Sequence, residues 1–530
     1  MSTLDVLVIV VYLIMIMCLG LFVGKDNKTQ EDYFLAGRSM PWIPIALSVA
    51  ATMISANSFV GGPGWAYTDG IMPFMQNVTV PLACFMAATI TAPIFYYLRV
   101  ASVYEYMGMR LGKWSRFLTV VQFFINSLIQ VSSMVYVPAL IIRMITGWNM
   151  KIIVPIIVGC AIVYTITGGI KAVIWTDAVQ MIVLWGGMIA ILFLAVKETG
   201  MGFAGAISQA ADTGKYNAFD FSMDISRTNS LFCSCFGVFM WIRYFCFDQA
   251  QVQRILTSKS IRGIKKSLVT STIMMNLMYF LMLFVGTIFF VVYQGKKFET
   301  SNEIMIGFML QYLPKGVLGL VIAAVFAAAM SSVDSLLNSM TTTFTKDIYE
   351  QYFSKDKGRE TTLKRTIAVS TVLGVIIIFI VIIGFDGSVK SVIDVVGRYI
   401  SYFAGPALGA FLLAMFTTRA SDKGVAIGFV SGLICGYLLA QKYEISWLLN
   451  PAIGAGITMV CGYLISMVIP DKKTREETLA YTAMGIRKKM LEEGGEREDG
   501  VYAIPFKLDK YAVTLLIIFV LQYVILVIIR

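Results

Sequence analysis

Residues 55–64 read Ser55-Ala56-Asn57-Ser58-Phe59-Val60-Gly61-Gly62-Pro63-Gly64, and they fall inside an apolar stretch, 43–66, long enough to cross a bilayer. Hydroxyls and an amide interrupt that crossing first, and a Gly-Gly-Pro-Gly run interrupts it again. Unwound backbone inside a membrane is tolerated only where it lines a cavity or is buried in protein. Five spans later, the stretch 229–250 carries Gly237, Trp241, Arg243, Tyr244 and Asp248 in place of a clean apolar run. Discontinuous helices at matching positions of two five-span halves are the sequence sign of an inverted repeat with a binding site near the membrane midplane. The alternative is that glycine and proline only kink packed helices.

The rest of the chain supports a membrane protein. Of its 530 residues 58% are hydrophobic and 14% charged, where a soluble chain carries about a quarter charged. Apolar runs predict about fourteen spans, at 4–23, 43–66, 72–98, 117–142, 152–166, 172–196, 229–250, 268–293, 316–342, 366–385, 391–416, 424–440, 447–469 and 511–529. The first opens Met1-Ser2-Thr3-Leu4-Asp5 with Lys25 only afterwards, so it reads as a retained helix with its N-terminus outside and not as a cleaved leader. Alternating from that start, most of the 43 lysines and arginines fall in loops on the cytoplasmic side, among them Arg254 to Lys266. An even number of spans returns the C-terminus to the outside. The net charge of +11 is then the ordinary basic flank facing anionic lipid, and calls for no nucleic acid.

This gives an all-α polytopic protein in four parts: 1–40, an extra helix and loop; 41–200 and 229–416, two five-helix repeats; and 417–530, further helices with a cytoplasmic loop at 471–510. That loop is too short for an enzymatic domain and reads as solvated, with room for a surface helix. The outer loop 198–228 is long enough to form a lid.

Several chemistries are excluded. There is no histidine, which removes serine-histidine hydrolysis, histidine-ligated zinc and imidazole relays. No GxxxxGK[ST] run supports direct ATP drive. The eight cysteines lie in apolar stretches and read as small buried hydrophobes.

The span 316–342 has the centre Ala327-Ala328-Ala329-Met330-Ser331-Ser332-Val333-Asp334-Ser335. Ala328, Ser331, Ser332 and Ser335 fall within about 100° of one another around a helix, with Asp334 close by. Hard monovalent cations want oxygen ligands of this kind. Serines bonding back to their own helix are the bland reading. Asp334 argues against it, because an intramembrane carboxylate needs a partner or a function. If Asp177 faces Asp334, either a cation sits between them or one stays protonated. Arg243 and Arg398 are buried forks suited to a carboxylate, unless each reaches a vestibule or pairs with a resident acid such as Asp248.

The runs EDYFLAGR (31–38), GGIKAVIWTD (168–177), DQAQVQR (248–254) and AAAMSSVDSLLNSMTTTFTKDIY (327–349) closely resemble the solute:sodium symporter family, which includes sodium/glucose, proline, pantothenate and sialic acid transporters. The resemblance covers about residues 4 to 470. It implies a LeuT-like five-plus-five inverted repeat, alternating access, and a sodium site of the Ala51, Ile54 and Ala328 carbonyls with the Ser331 and Ser332 hydroxyls. A further sodium site in the family's sialic acid transporters uses three serines, at positions held here by Ser331, Asp334 and Ser335, with an aspartate at the Asp177 position. The aspartate replacing the middle serine would strengthen sodium binding there or substitute a proton.

Solute residues carry over less well. The positions matching a bacterial galactose transporter are Ser58, Asn77, Val80, Trp241, Met275 and Gly397, so most of the sugar-binding set is lost, while the gating tyrosine survives as Tyr244. Against the sialic acid pattern, Ser55 and Ser58 keep hydroxyls and Asn77 an amide, but the carboxylate-binding arginine aligns with Gln130. The expectation is a bacterial cell-membrane symporter with sodium as its coupling ion and a carboxylate-bearing solute, a sugar acid or other organic anion. A neutral sugar or polyol held by Asn77, Gln130 and Trp241 is the alternative. A sodium channel or a substrate sensor on the same scaffold stands further behind.

Overall fold

The structure is a computed structural model; it describes residues 1–353, 362–384, 392–471, 473–494, 497–498 and 501–530. Among these residues eleven helices are long and apolar enough to cross a membrane. Two helix pairs pass the same test across bends of 60° and 52°, which makes up to thirteen spans. In chain order, α1 (Thr3–Val23) is followed by short α2 (Gln30–Leu35), and α3 (Trp42–Met53) with α4 (Ala56–Asp69) forms the first bent pair. Next come α5 (Met72–Leu98), α6 (Lys113–Thr146) and the 50-residue α7 (Met150–Thr199). The second bent pair is α8 (Leu231–Phe247) with α9 (Gln249–Ile255). Then follow α10 (Ile261–Val292), α11 (Ser301–Tyr312), α12 (Val317–Thr343), α13 (Leu363–Gly384) and α14 (Val392–Phe416). The last are α15 (Asp422–Lys442), α16 (Asn450–Val468), the loop helix α17 (Ala483–Glu492) and α18 (Lys510–Ile528). The only strands among the described residues are a two-residue ladder, Arg497–Glu498 with Val501–Tyr502.

Burial follows the bilayer logic. α12 is buried at every residue from Val321 to Thr343, so it is the hub of the molecule. It packs on α1, α3, α6 and α7. The outer helices expose apolar side chains, such as Leu7 and Phe22 on α1 and Ile517 and Val527 on α18, which only lipid solvates without cost. Cys18, Cys235 and Cys435 lie on that exposed surface, which corrects their reading as buried; Cys84, Cys233 and Cys246 are buried, and all eight are free thiols.

Both bends are built the same way. α3 ends where Ile54 leaves helical geometry (φ −94°, ψ 89°), and Ser55 then caps α4 by accepting the Ser58 N–H at 3.2 Å. At the second bend Asp248 is extended (φ −87°, ψ 127°) and accepts the Ala250 N–H at 2.9 Å. A side-chain cap takes up a donor that the broken helix would otherwise leave unpaired in hydrocarbon. The expected second interruption at Gly61-Gly62-Pro63-Gly64 is absent, because these residues stay inside α4. Gly64 instead lets the Ser301 backbone at the start of α11 come into contact, where a side chain would collide.

The spans expected at 152–166 and 172–196 are the two arms of α7, joined through a break at Gly169. Gly169 has φ +54° and ψ −156°, a region open essentially only to glycine. A Cβ there would also lie 2.5 Å from the Tyr33 carbonyl oxygen. The chain pivots here so that α2 can lie against α7, with the Tyr33 hydroxyl donating to the Thr165 carbonyl at 3.2 Å. Further contacts close the face that carries α2: Gln30 to Glu350 at 2.9 Å, Arg116 to Asp347 at 2.7 Å, and Gln253 Nε2 to the Phe34 carbonyl at 2.8 Å. At the opposite end of α12, the buried Asp5 carboxylate accepts the Gly316 and Gly319 N–H groups at 2.7 and 3.0 Å.

Gly169→Ala is expected to lower stability by about 1–3 kcal/mol from the backbone conformation alone. Gly159→Ala on the same helix, where a Cβ meets nothing within 4 Å, should be neutral or slightly stabilising. Thermal unfolding of both variants in one detergent checks the pair.

Candidate functional site

Of the oxygens expected to bind an ion, Ala328, Ser331, Ser332, Asp334 and Ser335 all lie within α12 and are 0–1% exposed. The Ser332 hydroxyl donates to the Ala328 carbonyl at 3.0 Å, so this pair is one unit. The Ser331 hydroxyl is buried without a hydrogen-bond partner. Such a group is costly in a low-dielectric interior unless a ligand completes it. α12 packs against both α3 and α4. Ala51 and Ile54 sit at the α3 terminus, where Ile54 N–H donates to the Ala51 carbonyl at 3.0 Å, and a helix end leaves carbonyls free of helical partners.

The second set is drawn together, but around a residue that the sequence reading had placed among the loop cations. Arg254 is fully buried. Its Nη2 lies 3.4 Å from Asp177 Oδ2 and donates to the Ser335 hydroxyl, its Nε donates to Ser48 at 2.9 Å, and its Nη1 donates to the Ala250 carbonyl. Ser48 in turn donates to Asp177 Oδ2 at 2.6 Å. Asp334 lies on the other side of Ser335, accepting its hydroxyl at 3.2 Å and the Tyr164 hydroxyl at 2.6 Å. Asp177 therefore has a resident counter-charge, whereas Asp334 has no basic side chain within ion-pair distance among the described residues. A signal was available in sequence: an arginine in the 248–254 run directly after the second bend cannot be solvated if that run turns inward.

Solute residues are scattered by comparison. Ser55 and Ser58 bond to each other at 3.1 Å and serve the α4 cap. Trp241 is half-buried, donates to the Gln76 carbonyl at 2.7 Å, and stands edge-on to Tyr244 with ring centroids 6.3 Å apart. The Tyr244 hydroxyl accepts from Gln251 at 2.9 Å, and Gln76 donates to Asn229 at 2.6 Å. Asn77 is buried and Gln130 half-buried. Arg243 is paired: its Nη1 lies 2.8 Å from Asp248 Oδ2, both groups about 95% buried. The Arg398 side chain lies outside the described residues. Sequence reasoning took the Asn57 amide only as a helix interruption and passed over Asn126 and Asn276; the three lie on α4, α6 and α10, each with a buried amide atom that has no partner. α6 and α10 both pack on α4, and an unpaired amide inside a span is itself the signal.

The sodium:solute symporter family model matches residues 33–432. The chain is 27% identical over 482 residues to the sodium/sialic acid symporter SiaT of Proteus mirabilis, covering 87% of this chain and 94% of that protein. It is 28% identical over 466 residues to the sodium/glucose cotransporter of Vibrio parahaemolyticus, covering 82% and 84%. The solved structure of a substrate-bound, outward-open Na+-coupled sialic acid symporter with a novel Na+ site matches with a TM-score of 0.80 at 26% identity, over 88% of this chain and 98% of that one. Mhp1, a nucleobase-cation-symport-1 family transporter, shares the fold, with a TM-score of 0.56 at 14% identity over 86% and 99%.

Breaking the Arg254–Asp177 pair from one side leaves a buried charge, so Arg254→Gln or Asp177→Asn alone should each cost about 3–5 kcal/mol. The double variant should cost less than the sum, which a double-mutant cycle by thermal unfolding measures. Strict additivity would mean that the two groups do not act as a pair.

Proposed function

The chain belongs to the sodium:solute symporter family, and from that premise we propose that it couples inward sodium movement to uptake of a sugar acid or related carboxylate-bearing solute. Members of this family are multi-pass membrane transporters, not enzymes, and sodium is their transported co-substrate. The observation that carries the sodium assignment to particular residues is the buried, unpartnered Ser331 hydroxyl on the hub helix. It lies on the helix packed against the α3–α4 break. Sodium held by the Ala51, Ile54 and Ala328 carbonyls and the Ser331 and Ser332 hydroxyls would tie α12 to that break and favour one global state by differential binding. Counting each bent pair as one crossing, and the arms of α7 on either side of Gly169 as two, supports fourteen crossings with both termini outside.

One charge crossing 100 mV releases about 2.3 kcal/mol, which supports roughly fifty-fold accumulation per ion. A second ion would square that ratio. Asp177, Asp334 and Ser335 are the proposed second site, for sodium or a proton, and Arg254 already balances Asp177. Asp334 is thus the carboxylate whose charge a second cation would meet.

For the solute, the sugar-acid reading is supported by the sialic acid symporters among the relatives and by the Tyr244–Trp241 aromatic pair. The neutral sugar or polyol reading is supported by a specific contact: Asp248 already neutralises Arg243. A carboxylate would then need Arg398, or the spare donors of Arg243.

Charge-assisted contacts are worth about 1.5–3 kcal/mol, so Ser331→Ala should raise the sodium concentration for half-maximal uptake about ten-fold or more, while leaving the fold intact. Uptake in proteoliposomes that proceeds equally with potassium would overturn the sodium site.

A thermal-shift screen separates the solute readings, because a ligand at a hundred-fold excess over its Kd stabilises by about 2.7 kcal/mol. Stabilisation by sugar acids only with sodium, lost in Arg398→Ala or Arg243→Ala, is the expected result. Stabilisation by neutral sugars alone would transfer the assignment to the second reading.

A further inference from the structure

Away from the membrane-buried sites, the face that carries α2 and α17 holds a cavity of about 520 Å³. It is cytoplasmic in the orientation set by the lysine and arginine bias. Its cations come from three separate segments: Arg38 from the corner between α2 and α3, Arg99 from the residue that ends α5, and Lys259 from the turn between α9 and α10. Two carboxylates share the walls. Glu31 Oε1 is 3.6 Å from Arg38 Nε, and Glu493 accepts the Tyr97 hydroxyl at 3.0 and 3.1 Å. Three cations thus face two acids, and one of those acids is occupied with a tyrosine.

The backbone holds two of these cations in conformations that non-glycine residues rarely adopt. Arg38 and Arg99 both have positive φ, 50° and 51°, and strain of this kind persists where the surroundings over-determine it and collects at functional positions. Arg38 Nη2 donates to the Val100 carbonyl at 3.2 Å, which orients the guanidinium, while its Nη1 is buried without a hydrogen-bond partner. Burial draws the Arg38 pKa below the usual arginine value; the Glu31 carboxylate opposes this and the Arg99 charge adds to it. The ligand missing from such a group is an anion. A carboxylate offers two oxygens to one fork, whereas a phosphate offers three acceptor oxygens and up to two charges to cations arriving from several directions.

We infer that this cavity binds a phosphate group, carried by a soluble phosphate compound or by an anionic lipid headgroup, and that the occupant ties together the α2–α3 corner, the end of α5 and the α9–α10 turn. Because a ligand that binds only the folded state stabilises it, thermal unfolding reads the site without any transport assay.

The full chain in phosphatidylcholine nanodiscs is melted with inorganic pyrophosphate and with chloride at matched ionic strength, and then in nanodiscs containing phosphatidylglycerol without added phosphate. The test variant is Arg99→Gln with Lys259→Gln, both exposed positions. Arg99→Lys with Lys259→Arg is the charge-preserving control. A melting point raised by pyrophosphate beyond chloride, with half-saturation shifted at least ten-fold in the Gln variant and retained in the control, supports the soluble source. A rise seen only with phosphatidylglycerol, and lost in the Gln variant, supports the lipid source. Equal responses in wild type and Gln variant, or no response beyond chloride in either membrane, would overturn the assignment.

Discussion

The structure depends first on a guanidinium with nowhere to be solvated. Arg254 reaches Ser48 on α3, Asp177 on α7 and Ser335 on α12 from its own place on α9. In hydrocarbon an arginine is tolerable only if its charge is paired and its donors are used. Meeting that demand brings four helices from both halves of the chain to one point. This buried pair is weak evidence for net stability, because desolvation offsets most of the attraction. Its consequence is geometric: the α9 segment must turn inward after Asp248, and α12 must sit at the centre.

A second constraint works alongside it. Every broken helix leaves backbone donors and carbonyls that lipid cannot satisfy. Donors are capped here by Ser55 and Asp248, while the buried Ser331 hydroxyl on the hub helix has no hydrogen-bond partner. A cation that completed such an oxygen, and whose removal left it unpaired, would act as a switch between two packings. The contacts that close the α2 face, including Arg116 with Asp347 and Gln30 with Glu350, are local and polar. They are therefore of a kind that can break and reform as that face opens, without dismantling the apolar core.

How far the sequence could be read depends on the kind of signal. Hydropathy located the apolar helices because each must match the bilayer thickness, and local chemistry located the breaks at Ser55 and Asp248. The same local chemistry misled at Gly61–Gly64, where small residues serve the approach of α11 and leave α4 helical. At 152–196 the two expected spans are the arms of α7, joined through the non-helical Gly169, a conformation that hydropathy does not register. Composition could not separate lipid-facing cysteines from buried ones. Serine spacing placed Ser331 and Ser332 on one stripe of α12, which the fold buries, because periodicity is a property of the helix alone.

By itself the sequence determined a lipid-solvated helical chain, the absence of histidine and P-loop chemistry, the two discontinuities, and the oxygen-rich stripe of the ninth span. These follow from length, period and residue type, which act over a few turns of helix. Only the tertiary structure decided charge pairing: that Asp248 satisfies Arg243, that Arg254 stands between Asp177 and Ser335, and that Asp334 is left to a tyrosine hydroxyl. Such contacts join residues far apart in the chain, 170 positions for Tyr164 with Asp334 and 231 for Arg116 with Asp347. In a low-dielectric interior a few ångströms decide whether a charge is neutralised at home or left for a ligand.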